Sequence, residues 1–337
     1  TPANPFTWKI HAYNIQIHGG TITLYDSTSI PGAEPGALDF SHLHLWNVNL
    51  ALSADAQIDK KDFSLALDKL AFEEASGLSL KELSCRVVLN QQGIDLKKLN
   101  FVSADSRLDL VARVDSLNIF EGDVGENFKR APLQLELNAD SLNTKDVLRF
   151  LPHAGVQGTY KLAINAEGKL PLISIQKLLL ESPYSRLSAT GKLRHLDTPE
   201  KLSFLASVDK SYINYDELQA NAQSLYLPKL DFLGTVRLLK TTINAVLPDS
   251  MVFSTDATTL SGKVNGDLTL FLGDTLAYRG NLVTENFNLA KLSNDPALES
   301  SINAHIEIQG KGIMLNELDA FTKIESQNST FAGRHLR

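Results

Sequence analysis

The stretch Ile94–Leu117, IDLKKLNFVSADSRLDLVARVDSL, is matched without a gap by Ile173–Leu196, ISIQKLLLESPYSRLSATGKLRHL, at an offset of 79 residues (173 − 94). Ile94, Lys98, Leu99, Ser103, Ser106, Arg107, Leu108 and Leu117 recur as Ile173, Lys177, Leu178, Ser182, Ser185, Arg186, Leu187 and Leu196. In both copies an apolar-alternating run enters a short polar turn with Ser at each end. A second alternating run leaves it, starting at Arg-Leu. Alternation over four to eight residues is the period of a strand with one buried face. Two such runs joined by Ser-Ala-Asp-Ser or Ser-Pro-Tyr-Ser predict a hairpin. A unit used twice predicts an array of one supersecondary element.

Upstream of the first copy, Phe6, Trp8 and Ile10 share a face. After His11-Ala12-Tyr13 the apolar phase moves to Ile15 and Ile17, which predicts a β-bulge or a strand break. His18-Gly19-Gly20 reads as a turn with Ile22 and Leu24 on a return strand. Ser27–Gly36, holding Pro31, Gly32 and Pro35, reads as a loop. Leu38–Ser53 reads as strand, as do Phe63/Leu65/Leu67 after the charged turn Asp59–Asp62 and Leu83/Cys85/Val87/Leu89 after the connector Glu73–Leu80.

Downstream, Glu121–Asn127 reads as a loop of Gly and acids, and Leu133/Leu135/Leu137 as a strand. Ser141–Leu151 predicts a helix, capped by Ser141, with Leu142, Val147, Leu148 and Leu151 on one side and Pro152 as its stop. Gly155–Leu170 reads as a strand pair, and Tyr215–Ala222 as a short helical turn ending near Leu227-Pro228. Alternation resumes at Leu230/Phe232 and Val236/Leu238 and is cleanest at Ile302/Ala304/Ile306/Ile308. About twenty strands of ordinary length against two short helices predict an all-β chain. The expected division is 1–130, 131–250 and 251–337, three β units of one elongated, curled sheet.

Composition bounds the function. Of the 337 residues 43% are hydrophobic and 21% charged, enough for a core and unlike a disordered chain. The net charge of −7, with no basic block, argues against nucleic acid as the main ligand. A single cysteine, Cys85, excludes an internal disulfide framework and a Cys-rich metal site. No signal peptide and no bilayer-length apolar run is present. The start at Thr1-Pro2 without Met reads as a segment cut from a longer protein.

The strands pose a physical problem. Each has an apolar face, and no long amphipathic helix is available to cover it. Two faces of a sandwich can fill each other, a sheet can close on itself, or a ligand can complete the core. Leu, Phe and Ile dominate the inward positions with no interspersed polar anchor, which suits acyl chains. Leu99, Phe101, Leu108 and Leu110 in the first copy, with Leu178, Leu180 and Leu187 in the second, are the candidate lipid-facing residues.

Other chemistry is weakly signalled. His42 and His44 alternate across Leu43 as a metal pair would, but no third ligand has matching spacing. Cys85 lies in the apolar phase of its strand, which predicts an inert thiol. The Ser-Arg pairs 106–107 and 185–186 read as turn residues bonding local backbone. Carboxylates such as Asp26, Asp39, Asp59, Glu121 and Asp123 are scattered at turns without forming a dyad. Asn328-Ser329-Thr330 fits a glycosylation sequon. No nucleophile elbow, P-loop, zincin or dinucleotide motif is present, so neither catalysis nor a cofactor is expected.

The succession FTWKIHAYNIQIHGGTITL (Phe6–Leu24), Phe40–Leu50, EASGLSL (Glu74–Leu80) and the hairpin Ser103–Leu108 resembles the TamB-like members of the AsmA superfamily, the translocation and assembly module proteins of Gram-negative bacteria. Gly280–Gly312, with Phe287-Asn288-Leu289 and Gly310-Lys311-Gly312, is similar to a middle repeat of that family. The resemblance implies a periplasmic segment of a protein anchored in the inner membrane, its sheet curled into an apolar groove. It implies carriage of phospholipid to the outer membrane or help in outer-membrane protein assembly, with an outer-membrane barrel assembly protein as partner through regions outside this chain. The family supplies no catalytic residues. The alternatives are a β-sandwich adhesin or scaffold with a closed core, and a β-helix enzyme acting on polysaccharide.

Overall fold

In a computed structural model of the chain, the alternation quoted above becomes strands paired antiparallel to their neighbours in sequence. The described residues are 7–28, 36–152, 157–221, 234–273, 275–293, 295–312 and 319–336. The expected features at 29–35, Gly155, Leu227-Pro228 and Leu230/Phe232 lie outside them. The chain divides into two compact units, Thr1–Lys169 and Leu170–Arg337.

The first unit is a meander of β1 (Lys9–Thr23), β2 (His44–Gln57), β3 (Asp62–Glu74), β4 (Ser79–Asn90), β5 (Gly93–Ser103), β6 (Arg107–Asp115), β7 (Leu133–Asn143) and β8 (Thr159–Lys169). Each pairs antiparallel with the next, and among the described residues of this unit β1 pairs only with β2. Helix α1 (Val124–Arg130) lies between β6 and β7, and α2 (Thr144–Phe150) between β7 and β8.

The second unit follows the same plan. Strands β9 (Leu172–Glu181), β10 (Arg186–Arg194), β11 (Ser203–Asn214), β12 (Thr235–Val246), β13 (Ser250–Thr259), β14 (Gly262–Phe271), β15 (Ala277–Phe287), β16 (Ser300–Lys311) and β17 (Asp319–Ser326) pair in order. A small hairpin of β18 (Ser329–Phe331) and β19 (Arg334–Leu336) pairs with the start of β16. Helices α3 (Tyr215–Asn221) and α4 (Leu289–Ser293) follow β11 and β15, and two 3-10 turns lie at Pro199–Lys201 and Pro296–Leu298. The fold is all-β, as its periodicity predicts.

Local chemistry corrects several sequence expectations. His18-Gly19-Gly20 is not a turn: β1 runs through it, absorbing the glycines as a register shift between Ile17 and Gly20, with Gly19 at φ +62. The phase change near Tyr13 is a bulge in the same strand, between Ala12 and Ile15, with Asn14 at φ +54. Glu121–Asn127 contains a helix start, because Asp123 accepts the N–H of Glu126 at 3.0 Å and caps α1. Ser141 stays in β7, and Asn143 caps α2 by accepting the N–H of Lys145 at 2.9 Å. Residues 159–169 form one strand, not a pair. The described residues hold four α-helices where two were expected. Strand β2 begins at His44, and His42 lies in the preceding turn, 3.0 Å from Asp39 Oδ2, so the two His do not alternate on one strand.

The two-copy repeat is a larger unit. Asn143 caps α2 and Asn214, through its Oδ1 on the N–H of Glu217 at 2.9 Å, caps α3, an offset of 71 (214 − 143). The offset falls from 79 to 71 because the first copy carries the additional α1 segment between its hairpin and the next strand. Thr259 begins a third copy of the turn, accepting the N–H of Ser261 at 3.1 Å and donating to Gly262 O at 3.0 Å, and β15–α4 follows it with Asn288 as cap.

Candidate apolar trough

Cross-strand partners point to the same side of a sheet, so the pairing registers define rows across each unit. In the first unit one row runs Leu52, Leu67, Cys85, Leu99, Leu110, Leu137, Ile164 from β2 to β8. The next runs Leu50, Leu70, Leu83, Phe101, Leu108, Ala139, Leu162. The rows Ala54–Leu65–Val87–Leu96–Ala112–Leu135–Ala166 and Phe63–Leu89–Ile94–Val114–Leu133 complete the face. All these positions are apolar. The opposite side carries Asp95–Arg113–Gln134–Glu167 and Asn100–Asp109–Asn138. Bulges keep the segregation intact: the shift between Leu96 and Leu99 moves Lys97 and Lys98 to exposed positions and returns Leu99 to the apolar row.

The two ends of this face hold its most buried large residues, and its middle is partly exposed. At one end Leu117, 1% exposed, packs with Val114 and Ala131 against Ile94, Ile119 and Leu133, and the Phe120 ring lies 5.4 Å from Phe63. Lys61 Nζ holds this cover by donating to Glu121 Oε1 at 2.5 Å, which lowers the carboxyl pKa. At the other end Val48, Leu78 and Leu80 are buried. Arg149 of α2 donates to Gly77 O at 2.9 Å, Leu38 N–H donates to Arg149 O at 2.8 Å, and Phe150 meets Phe40. Between the ends Leu67, Cys85, Leu99, Leu110, Leu137 and Ile164 are only half-buried. The strands that carry them pair edge to edge with their sequence neighbours, among the described residues.

The sequence-derived candidates fall on these faces. Leu99 pairs with Leu110 and Phe101 with Leu108 in the first unit. In the second, Leu180 pairs with Leu187 and Leu178 with Ala189. All seven are half-buried. In the second unit one row has smaller groups, running from Leu178 through Ala189, Val208, Thr241, Thr255 and Gly266 to Leu282 and Ile306, and the next on the same side carries Ile243, Phe253, Leu268 and Ile308. Its hydroxyls are satisfied within the sheet, Thr241 and Thr255 bonding each other at 2.7 Å. A side chain at Gly266 would place Cβ 2.1 Å from Asn281 O, so only glycine fits there.

What single-sequence reasoning misses is how the Ser turns are tied down. Ser103 Oγ accepts the N–H of Ser106 at 2.8 Å and donates to Asp146 Oδ2 at 2.5 Å; Asp146 also pairs with Arg149. In the second copy Ser182 and Ser185 donate to Glu217 Oε2 at 2.6 and 2.5 Å. The available signal was an acid three residues after Asn143 and again after Asn214; the third copy has Lys291 at that position.

Burial raises the pKa of the Cys85 thiol, opposed by a backbone hydrogen bond from Leu67. Among the described residues no three His, Cys, Asp or Glu side chains are grouped to hold a metal, and no helix is long and apolar enough to cross a membrane. No family model, curated protein or solved structure matches the chain.

Proposed function

We propose that the chain is a non-enzymatic segment of a periplasmic protein bridging the inner and outer membranes, and that its apolar faces hold phospholipid acyl chains during transport to the outer membrane. The observation that carries this reading is the middle of the first unit's face: rows of Leu, Ile, Val and Phe, capped at both ends and partly exposed between them. Burying a CH₂ gains ~0.8 kcal/mol, so a sixteen-carbon chain laid along such rows gains on the order of 12 kcal/mol before its ordering cost. The face has no polar anchor in these rows, so it suits a hydrocarbon chain of any headgroup. The periplasmic setting and an outer-membrane barrel assembly partner rest on the resemblance to the TamB-like proteins.

The test is to purify the chain from Gram-negative cells, extract it with organic solvent and identify lipid by mass spectrometry. Co-purifying phospholipid is expected, and Leu99→Asp or Leu178→Asp is expected to remove most of it while the far-UV spectrum is kept. A folded, lipid-free protein would favour the closed-core scaffold, and unchanged retention in the Asp variants would place the ligand elsewhere.

A further inference from the structure

On the polar side of the second unit the charges are unevenly distributed. One row across the sheet contains Arg194 on β10, Val246 on β12, Phe271 on β14 and Lys311 on β16. The adjacent row on the same side contains Lys192, Leu205, Val252 and Arg279. The four apolar side chains are 36–47% exposed, and the four cations are exposed as well. The only acid in the two rows is Asp319, on the edge strand β17 and in register with Lys311, with which it forms no ion pair. Glu200 and Asp249 lie in turns beyond the strand ends. Among the described residues none of the four cations forms an ion pair. Elsewhere on this side Arg186 pairs with Glu181, Lys263 with Glu285, and Lys323 with Glu307 and Glu325, and Lys240 stands in register between Asp209 and Asp256; Arg237, like the four, forms no ion pair among the described residues.

We infer that this band binds the surface of an anionic lipid bilayer. Short aliphatic side chains and one Phe, bracketed by unpaired Lys and Arg, match the two forces of interfacial binding: shallow apolar burial and attraction to anionic headgroups. The strands that carry the apolar residues already have partners on both sides, which closes the strand-addition mode by which a peptide would dock. The overall charge of −7 opposes non-specific attraction to such a surface, so binding has to come from a local band. This site is on the opposite side of the second unit's sheet from that unit's own Leu178 row and does not depend on apolar rows holding lipid.

The experiment is co-sedimentation of the full chain with vesicles of phosphatidylcholine alone or mixed with phosphatidylglycerol. Binding is expected only with phosphatidylglycerol, and is expected to weaken as salt rises. Replacing Lys192, Arg194, Arg279 and Lys311 together by Gln should lower partitioning by at least about a hundredfold. The paired Lys263→Gln and Lys323→Gln substitutions should leave it unchanged, as should Leu99→Asp. Equal binding to both vesicle types, an unaffected quadruple variant, or loss of binding in Leu99→Asp would overturn the inference. Capture by poly-glutamate without vesicle binding would assign the band to an acidic protein instead.

Discussion

Cys85 lies in β4 between Leu67 and Leu99, in the middle of the partly exposed apolar band, and is the chain's single thiol. Burial disfavours its thiolate and raises its pKa. Its alkylation by iodoacetamide should therefore follow a pH profile displaced upward from that of free cysteine. In linkage terms, the preference of the fold for the neutral thiol is fully present below the ordinary thiol pKa and is lost as pH rises through the raised value. Added phospholipid should slow the reaction further, because acyl chains would cover the sulfur. A profile coincident with free cysteine would place the thiol in water. The position of Cys85 in the apolar phase is legible in the sequence, since period-two alternation fixes which side chains share a face. The sequence does not reveal whether that face is covered, because cover comes from segments distant in the chain, such as Phe120 on Phe63.

Among the elements, the turn–helix latches carry the clearest energetic consequence. Asp146 has 5% of its side chain exposed and Arg149 15%, so Asp146→Ala leaves the guanidinium without its carboxylate, with Gly77 O as its remaining acceptor, and takes the carboxylate acceptor from the Ser103 hydroxyl. The expected loss is about 3 kcal/mol, read as a lowered urea midpoint with an unchanged slope. Glu217→Ala removes the acceptor of two hydroxyls and should cost about 2 kcal/mol. No change in either midpoint would mean the turns hold without the carboxylates. Hairpins β5–β6 and β9–β10 were readable from alternation and turn residues. The caps were less so: Asn143 is preceded by Ser141, an equally good capping residue, and only the strand's continuation to Asn143 decides between them. The glycines at 19 and 20 read as a turn because a bulge and a turn call for the same residue type, and pairing with β2 resolves which one forms.

At the scale of the molecule, both units solve the same problem with the same plan: antiparallel strands paired in sequence order, apolar on one side and polar on the other. They differ in one row: where the first unit has large aliphatic residues from Leu67 to Ile164, the second has Ala189, Val208, Thr241, Thr255 and Gly266, while its next row carries Ile243, Phe253, Leu268 and Ile308. The all-β class follows from periodicity alone, whereas function depends on what lies against those rows. The most direct measurement is photo-crosslinking of the purified chain with a phospholipid carrying a diazirine in its acyl chain, followed by mapping of the modified residues. Adducts should alternate along β4 and β5, falling on Leu83, Cys85, Val87, Leu96, Leu99 and Phe101 and sparing Arg86, Lys98 and Asn100. Adducts on the polar side, or none above the level of a soluble diazirine, would contradict the account.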